Sequence, residues 1–519
     1  MPGGKFSGDA SGRSKNSVRS KAFGILTVIQ FTNTFGHPVL RSALRKPCTR
    51  CLSVLLLCLF LGSCFPEAFA PRDFLLKPPL VNEGEVVLYL QPLPQEAGKL
   101  RFEIDAIFAL KDDGSQVPLS LLMNDLNGAD LVGLQKWLAS GILPPGRYGG
   151  ISIQIRQAFV ETAEGEVALE VAAEPLRVEH SFDVQRQKST ALFLSLDPAK
   201  IITRENRFTP MFSLATPGGL LINLTAFVSN PESNIILVFN KKTMQVVDAI
   251  AAGQGPRGLV IDRFRTRAYV AVSGDDEVLA IDVFKRRILS RLKLNFGDNP
   301  VELALSPDGR RLVAVNHDSN TVSLIDAFSL TEAARIRVGN GPTSAVMDPS
   351  GSRVYVMNTG SQSISVVDLT QKTLVVTIGV EAAPLRGGFN REGDTLFVIS
   401  SDSPYITAID RVRLAVKKKI FAGTGAVSLK VDNQSGLVYV GRRFGDEISV
   451  IDPFSLMFVD TFRVGGKAVY QAIDQEERAL FVALSDRRIL QKINLTSKKL
   501  VAEIEVGKGA YAIAIMGQR

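Results

Sequence analysis

The sequence predicts an all-β chain: a seven-bladed β-propeller preceded by a small β-sandwich domain. Three observations at fixed spacing carry the propeller. A polar residue closes a β-forming run at Asn240, Asp282, Asp326, Asp368, Asp410, Asp452 and Asn494, at intervals of 42, 44, 42, 42, 42 and 42 residues. Thirteen residues before each of these stand Phe227, Tyr269, Val313, Tyr355, Phe397, Tyr439 and Phe481, six of them aromatic. Sixteen residues after each stand Pro256, Pro342, Pro384, Ala426, Ala468 and Ala510, with Pro300 at eighteen because the loop around 295–300 is two residues longer. Self-similarity at a period of about 40 to 45 residues marks propeller blades.

Within one unit, 342–380, the chain breaks at Pro349-Ser350-Gly351, Thr359-Gly360-Ser361 and Thr370-Gln371-Lys372. Four short runs rich in Val, Ile and Tyr lie between the breaks and read as strands A to D, from the inside of the ring outward. The A strands are expected to start at 256, 300, 342, 384, 426, 468 and 510. Three strands at 222–251 precede the first of them, and the chain ends on a single A strand, "AYAIAIMG" (510–517). The ring is therefore expected to close with one C-terminal and three N-terminal strands in one blade, which removes the open edges of a linear sheet array. The run "VYVMNTGSQSISVVD" (354–368) resembles the YVTN-repeat propellers of bacterial and archaeal surface proteins, over about 220–519; the name motif here reads Tyr355-Val356-Met357-Asn358.

The chain carries a formal charge of +8 from 60 Lys and Arg against 52 Asp and Glu, but residues 1–63 hold nine of the bases and one acid, so the remainder is neutral. That leader ends "RSALRKPCTRCLSVLLLCLFLGSC" (41–64): basic cluster, apolar stretch, small residues, cysteine. This is a signal-peptide layout, and Leu61-Gly62-Ser63-Cys64 resembles the lipobox at which bacterial lipoproteins are cut and acylated. The apolar stretch at 52–63 is shorter than the roughly 20 residues a membrane span needs. Met1 is the only methionine before Met123, and the true start is expected at a non-Met codon read as Val39 or Leu40. All four cysteines, Cys48, Cys51, Cys58 and Cys64, lie in this region, so the exported chain is expected to keep one, lipidated. The lone Cys48/Cys51 pair would leave with the leader. Residues 64–80 form a lipidated tether, and Phe65 after the cysteine, in place of the Asp that retains some lipoproteins at the inner membrane, points to the periplasmic side of the outer membrane or the cell surface.

Residues 81–216 have a different grammar. "EVVLYLQPLP" (85–94), "KLRFEIDAIFAL" (99–110), "GISIQIRQAFVE" (150–161) and "STALFLSLD" (189–197) read as strands, while "ADLVGLQKWL" (129–138) fits a short helix or a strand and turn. "LPPGRYGGISIQI" (143–155) together with 182–202 is similar to a transthyretin-like β-sandwich family of bacterial lipoproteins, which implies a spacer or binding module.

Chemistry is sparse. Beyond the leader the histidines are His180 and His317, far apart, with no CxxCH, HExxH, Walker loop or G-x-S-x-G elbow, so no metal or cofactor is expected. Propellers bind on the face of the B–C and D–A loops or at the channel mouth. There, Arg442, Arg443, Arg487 and Arg488 form a small basic sector, His317 lies in one loop, and Glu302, Arg386 and Tyr470 occupy the same position of three A strands. Glu and Arg in one cavity suit a polar or anionic ligand, or neutralise each other. The recurring Asp282, Asp326, Asp368, Asp410 and Asp452 sit where turn capping is expected. The reading is a membrane-anchored, non-enzymatic propeller scaffold for an envelope protein or polysaccharide. Propellers of this type also include lactonases and lyases, and binders of single-stranded nucleic acid. A single loop histidine offers little to the first, and a neutral body supplies little of the charge the second needs.

Overall fold

The computed structural model describes residues 77–197, 206–219, 221–262, 264 and 267–516. The leader, the other cysteines and the proposed lipidation site Cys64 lie outside them. Among the described residues no helix is long and apolar enough to cross a membrane.

Seven four-stranded antiparallel sheets form the blades. Blade 4 is representative, with strands A to D at Pro342–Met347, Arg353–Asn358, Ser363–Asp368 and Thr373–Gly379. The A strands of blades 2 to 7 begin at Pro256, Pro300, Pro342, Pro384, Ala426 and Ala468, as the spacing predicts. Blade 1 is the composite: Thr225–Asn230, Ile235–Asn240 and Gln245–Ala251, with Ile513–Ile515 as its innermost strand, paired antiparallel through Val228↔Ile513 and Ala226↔Ile515. This last strand starts three residues later than expected, because of a detour at Ser229, where one residue faces two: Tyr511 N donates to Ser229 O (3.0 Å), Ser229 N to Ala512 O (3.0 Å), and Ala512 N to Ser229 Oγ (3.1 Å).

Each anchor residue caps its C–D turn. Asp368 Oδ1 accepts from Thr370 N (2.9 Å) and Gln371 N (2.8 Å), and the amide Oδ1 of Asn240 and Asn494 does the same for Lys242, Thr243, Thr496 and Ser497. Four residues after every anchor the backbone is left-handed, at Met244, Arg286, Leu330, Lys372, Leu414, Leu456 and Lys498, with φ between 50° and 62°. None is glycine, so the cap must hold a conformation that costs an L-residue roughly 1 kcal/mol. The spaced aromatics are all buried between blades, and Tyr269 Oη donates to Ala327 O of the next blade (2.7 Å).

Between Gly84 and Ala215 lies the expected separate, sheet-rich domain, its eleven strands hydrogen-bonded into one network around one apolar core. The join is the six-residue strand Gln116–Leu121, which pairs with Leu100–Lys111 through residues 116–119 and with Lys136–Leu143 through 120–121, while the 17-residue strand Gly146–Thr162 pairs with Leu176–Val184 along its first half and Gly165–Val171 along its second. The open segment at 129–138 resolves into one helical turn, Gly128–Leu131, and the start of a strand, Lys136–Leu143. The domain is docked on the propeller. Side chains alternate along a strand, so Val86, Leu88 and Leu90 fill the domain's core while Val87 and Tyr89 pack with Phe239 and Phe481 of the ring. Gln135 covers the outer edge of blade 1, accepting from Val246 N (2.7 Å) and donating to Val246 O (3.0 Å).

Closure carries a buried ion pair. Lys241, 1% exposed, places Nζ 2.7 Å from Asp474 Oδ2 of blade 7, itself 0% exposed, and donates to Met516 O (2.9 Å) at the end of the closing strand. Lys492, paired with Glu477, donates to Lys241 O (2.9 Å). The same device joins blades 4 and 5 through Asp348–Arg411 (3.3 Å) and blades 6 and 7 through Asp432–Arg478 (3.2 Å). Lys241→Ala leaves the Asp474 carboxylate buried without a countercharge and is expected to destabilise the chain by about 3 to 5 kcal/mol, whereas Lys241→Met with Asp474→Leu recovers most of that. Urea denaturation of the three proteins checks it; equal losses in the single and double variants would refute a closing role for the charge pair.

Candidate functional site

The site grows from the start of the A strands, at the mouth of the channel. Each A strand of blades 2 to 7 is bulged at its first residues, between Pro300 and Glu302 or Pro384 and Arg386, for example. A bulge re-aims the side chains that follow it. Glu302 and Arg386, two blades apart, meet: Arg386 Nη1 donates to Glu302 Oε2 at 2.8 Å. The guanidinium also lies over the rings of Tyr470 (4.9 Å) and Tyr511 (5.6 Å), with Arg257 on Tyr511 (5.7 Å).

Burial opposes charge on Arg386, but the Glu302 carboxylate and the two phenols outweigh it and hold its pKa above the ordinary arginine value. Burial pushes both phenols up, with Glu302 adding to the effect and Arg386 opposing it. A cation is thus fixed across the ring by one carboxylate and two aromatic faces, with desolvation strengthening each contact. Gly258 takes the corresponding place in blade 2, where a Cβ would stand 2.5 Å from Glu302 Cα. The bare backbone lets the Glu302 strand approach.

The other residues at this position, Ser344 and Ser428, do not join the cluster. Their hydroxyls donate to Leu385 O and Ala468 O of the next inner strand (2.5 Å each). His317 is a loop brace, its Nδ1 3.0 Å from Pro342 O. The basic sector divides. Arg442 turns into its blade, donating to Ala422 O (2.6 Å) and Ser449 Oγ (2.9 Å); Arg443 lies 5.8 Å above Phe444; a Cβ on Gly465 would stand 3.0 Å from Arg487 Nη1; and Arg488 acts electrostatically on Glu505. Burial pushes the Glu505 carboxyl up, with Lys136 the first of the groups that oppose it. Among the described residues no three His, Cys, Asp or Glu side chains are grouped to hold a metal.

Sequence reasoning passed over Tyr511 and Lys430. Tyr511 is displaced by one from the expected register because of the Ser229 detour described above. Lys430 had a legible signal: the same position of the other A strands reads Val260, Ala304, Val346, Gly388, Ala472 and Ala514. This half-buried lysine has no hydrogen bond or ion pair among the described residues, and burial alone pushes its pKa down to about 8.

A profile of the YNCE-like β-propeller family matches residues 298–518, which is similar to that family over this part. No curated protein matches the sequence. Solved structures of similar fold include Kuenenia stuttgartiensis hydrazine synthase (17% identity, TM-score 0.46, 50% of this chain and 90% of that one). They also include the dihydro-heme d1 dehydrogenase NirN in complex with DHE (14%, 0.47, 58% and 77%). A functionally unknown protein from Desulfotomaculum acetoxidans aligns at 14% identity and TM-score 0.51, over 57% of this chain and 99% of that one. At 14% identity this last likeness is one of fold.

Lys430 gives a pH test. Between about 8, where the folded state releases its proton, and the ordinary 10.5 of the unfolded chain, the unfolded state holds more protons, so stability rises with pH in that window. Lys430→Met is expected to be more stable than the natural protein at pH 7 by roughly 1 to 3 kcal/mol, a gap that narrows as the pH rises towards 10. Parallel thermal melts from pH 7 to 10 measure it, and a gap independent of pH would show that the amine is not desolvated.

Proposed function

We propose that this chain is a membrane-anchored, non-enzymatic binding scaffold of the bacterial envelope, held by lipid on Cys64 at the periplasmic side of the outer membrane or at the cell surface. Its ligand is an envelope protein or polysaccharide. The observation that carries the reading is the channel mouth: the charged and phenolic groups gathered there engage one another, with Arg386 bonded to Glu302 and covered by Tyr470 and Tyr511. A carboxylate and a guanidinium committed to each other serve as a strut across the ring, and the loop histidine, His317, braces a neighbouring strand start. The ring then acts by shape and exposed surface.

The docked N-terminal domain supports the same reading. Its strands share one apolar cluster with blades 1 and 7, so the propeller is carried on a rigid mount that leaves blades 2 to 6 outside that cluster. Anchoring by several acyl chains gives durable attachment, each buried methylene adding about 0.8 kcal/mol.

Cys64→Ser is expected to abolish metabolic acyl labelling and normal processing. Protein exported from a conventional soluble signal fused to residue 65 is expected to be soluble, yet to co-sediment with isolated envelopes. Acyl label retained on the Cys64→Ser protein would overturn the lipid anchor, and a soluble form that never co-sediments would overturn the scaffold.

A further inference from the structure

Blades 5 and 6 expose aromatic rings that the fold does not cover. Tyr405, the first residue of strand C in blade 5, and Phe421, the last of its strand D, lie 5.8 Å apart at 73°. Phe421 meets Phe458 of the blade 6 outer strand at 6.2 Å and 81°. These rings are 42%, 55% and 42% exposed, and Phe444, in the adjoining B–C loop, is 80% exposed. Single exposed apolar residues need no explanation, but a contiguous row does. The row leads into a cavity of about 480 Å³ lined by Arg442, Phe444, Asp446, Glu447, Phe458 and Asp460, among others.

The polar groups of this cavity select its occupant. Arg442, 5.8 Å from the Phe458 ring, donates to Ala422 O and Ser449 Oγ through Nη2. Glu447 and Asp460 already hold Arg463 and Lys498. Asp446 is exposed and its carboxylate has no partner among the described residues. An acidic polymer would face three carboxylates, Asp446, Glu447 and Asp460, against the one guanidinium of the lining, Arg442. An uncharged, hydroxyl-rich polymer meets no such penalty: the C–H face of a sugar ring covers an aromatic ring, and its hydroxyls donate to carboxylates in short, charge-assisted bonds.

We infer that the aromatic row of blades 5 and 6, ending at the Asp446 cavity, binds a neutral polysaccharide chain. This rests on the scaffold reading and names the ligand class and the face that takes it. Tyr405 and Phe458 each stand nearly perpendicular to Phe421, which touches both. Three rings in series suit a short oligosaccharide segment. The free Asp446 carboxylate accepts from the sugar hydroxyls at one end.

Affinity electrophoresis of the full chain through native gels containing hydroxyethylcellulose, dextran or galactomannan, with alginate as the acidic control, tests it. The expected result is retardation in at least one neutral gel and none in alginate, weakened about fivefold by Tyr405→Ala or Phe458→Ala, the size of losing one aromatic contact. Asp446→Asn is expected to weaken it less, and Phe284→Ala, a more exposed ring in blade 2, to leave it unchanged. Matching melting temperatures show that the variants fold. No retardation in any neutral gel, retardation indifferent to both aromatic substitutions, or retardation in alginate alone overturns the inference. Co-sedimentation with envelopes that persists in Phe458→Ala while neutral gels retard nothing would overturn it and leave the scaffold reading standing.

Discussion

A propeller is a ring only if its two ends are made to behave as neighbours, and here one buried charge pair does this. Lys241 reaches from the N-terminal blade to Asp474 of the last blade and to the carbonyl of Met516 on the closing strand. Three N-terminal strands and one C-terminal strand make a sheet held by only a short run of backbone pairs, Ala226 to Val228 with Ile513 to Ile515. Ion pairs removed from water gain little net energy over an apolar replacement, but they fix register. A strand slipped by one residue would carry Met516 O away from Lys241 and would turn every side chain to the wrong face.

The channel mouth depends on that closure. Tyr511 belongs to the final strand, and it reaches Arg386 and Arg257 because Ser229 bonds the two residues at that point of the chain. The cluster therefore joins blade 2, blade 3, blade 5, blade 7 and the closing strand across the axis. It ties the ring internally, as the Asp348–Arg411 and Asp432–Arg478 pairs tie neighbouring blades at the far ends of the A strands. Lys430 stands apart from both systems, a cation in a layer of small and apolar side chains.

The N-terminal domain uses both faces of one strand. Gly84–Leu90 is buried along its whole length, a pattern that elsewhere marks a central strand of a parallel sheet. Here it arises because one face fills the domain's own core and the other meets the ring, with Tyr89 stacked on Trp137 at 5.7 Å. Those contacts cover the blade 1 and blade 7 side, and the uncovered aromatic row lies on blades 5 and 6.

Much of this was legible in the residues alone. The 42-residue period, the buried aromatic in strand B and the capping Asp or Asn fixed seven blades, their strand starts and the closure, because each is a local rule repeated. The charged residue directly after an anchor, Lys241 or Arg411, stands where other blades carry Val283, Ala327, Leu369, Pro453 and Leu495, so even the latch left a trace. The single network of the N-terminal domain left none, since nothing in the six residues Gln116–Leu121 says that their two ends will pair with different strands. The site's membership left a partial one, Glu302, Arg386 and Tyr470 at one position of three A strands, with Tyr511 a residue off it. The sequence by itself determined which residues stand at the head of each inner strand, because periodicity counts positions. Only the tertiary structure decided that Glu302 and Arg386 meet, that Ser344 and Ser428 turn to the neighbouring backbone, and that Tyr511 joins them. Convergence on an axis, a bulge at each strand start and a serine detour are relations between distant segments, and a repeat read along the chain carries no information about what faces what across a ring.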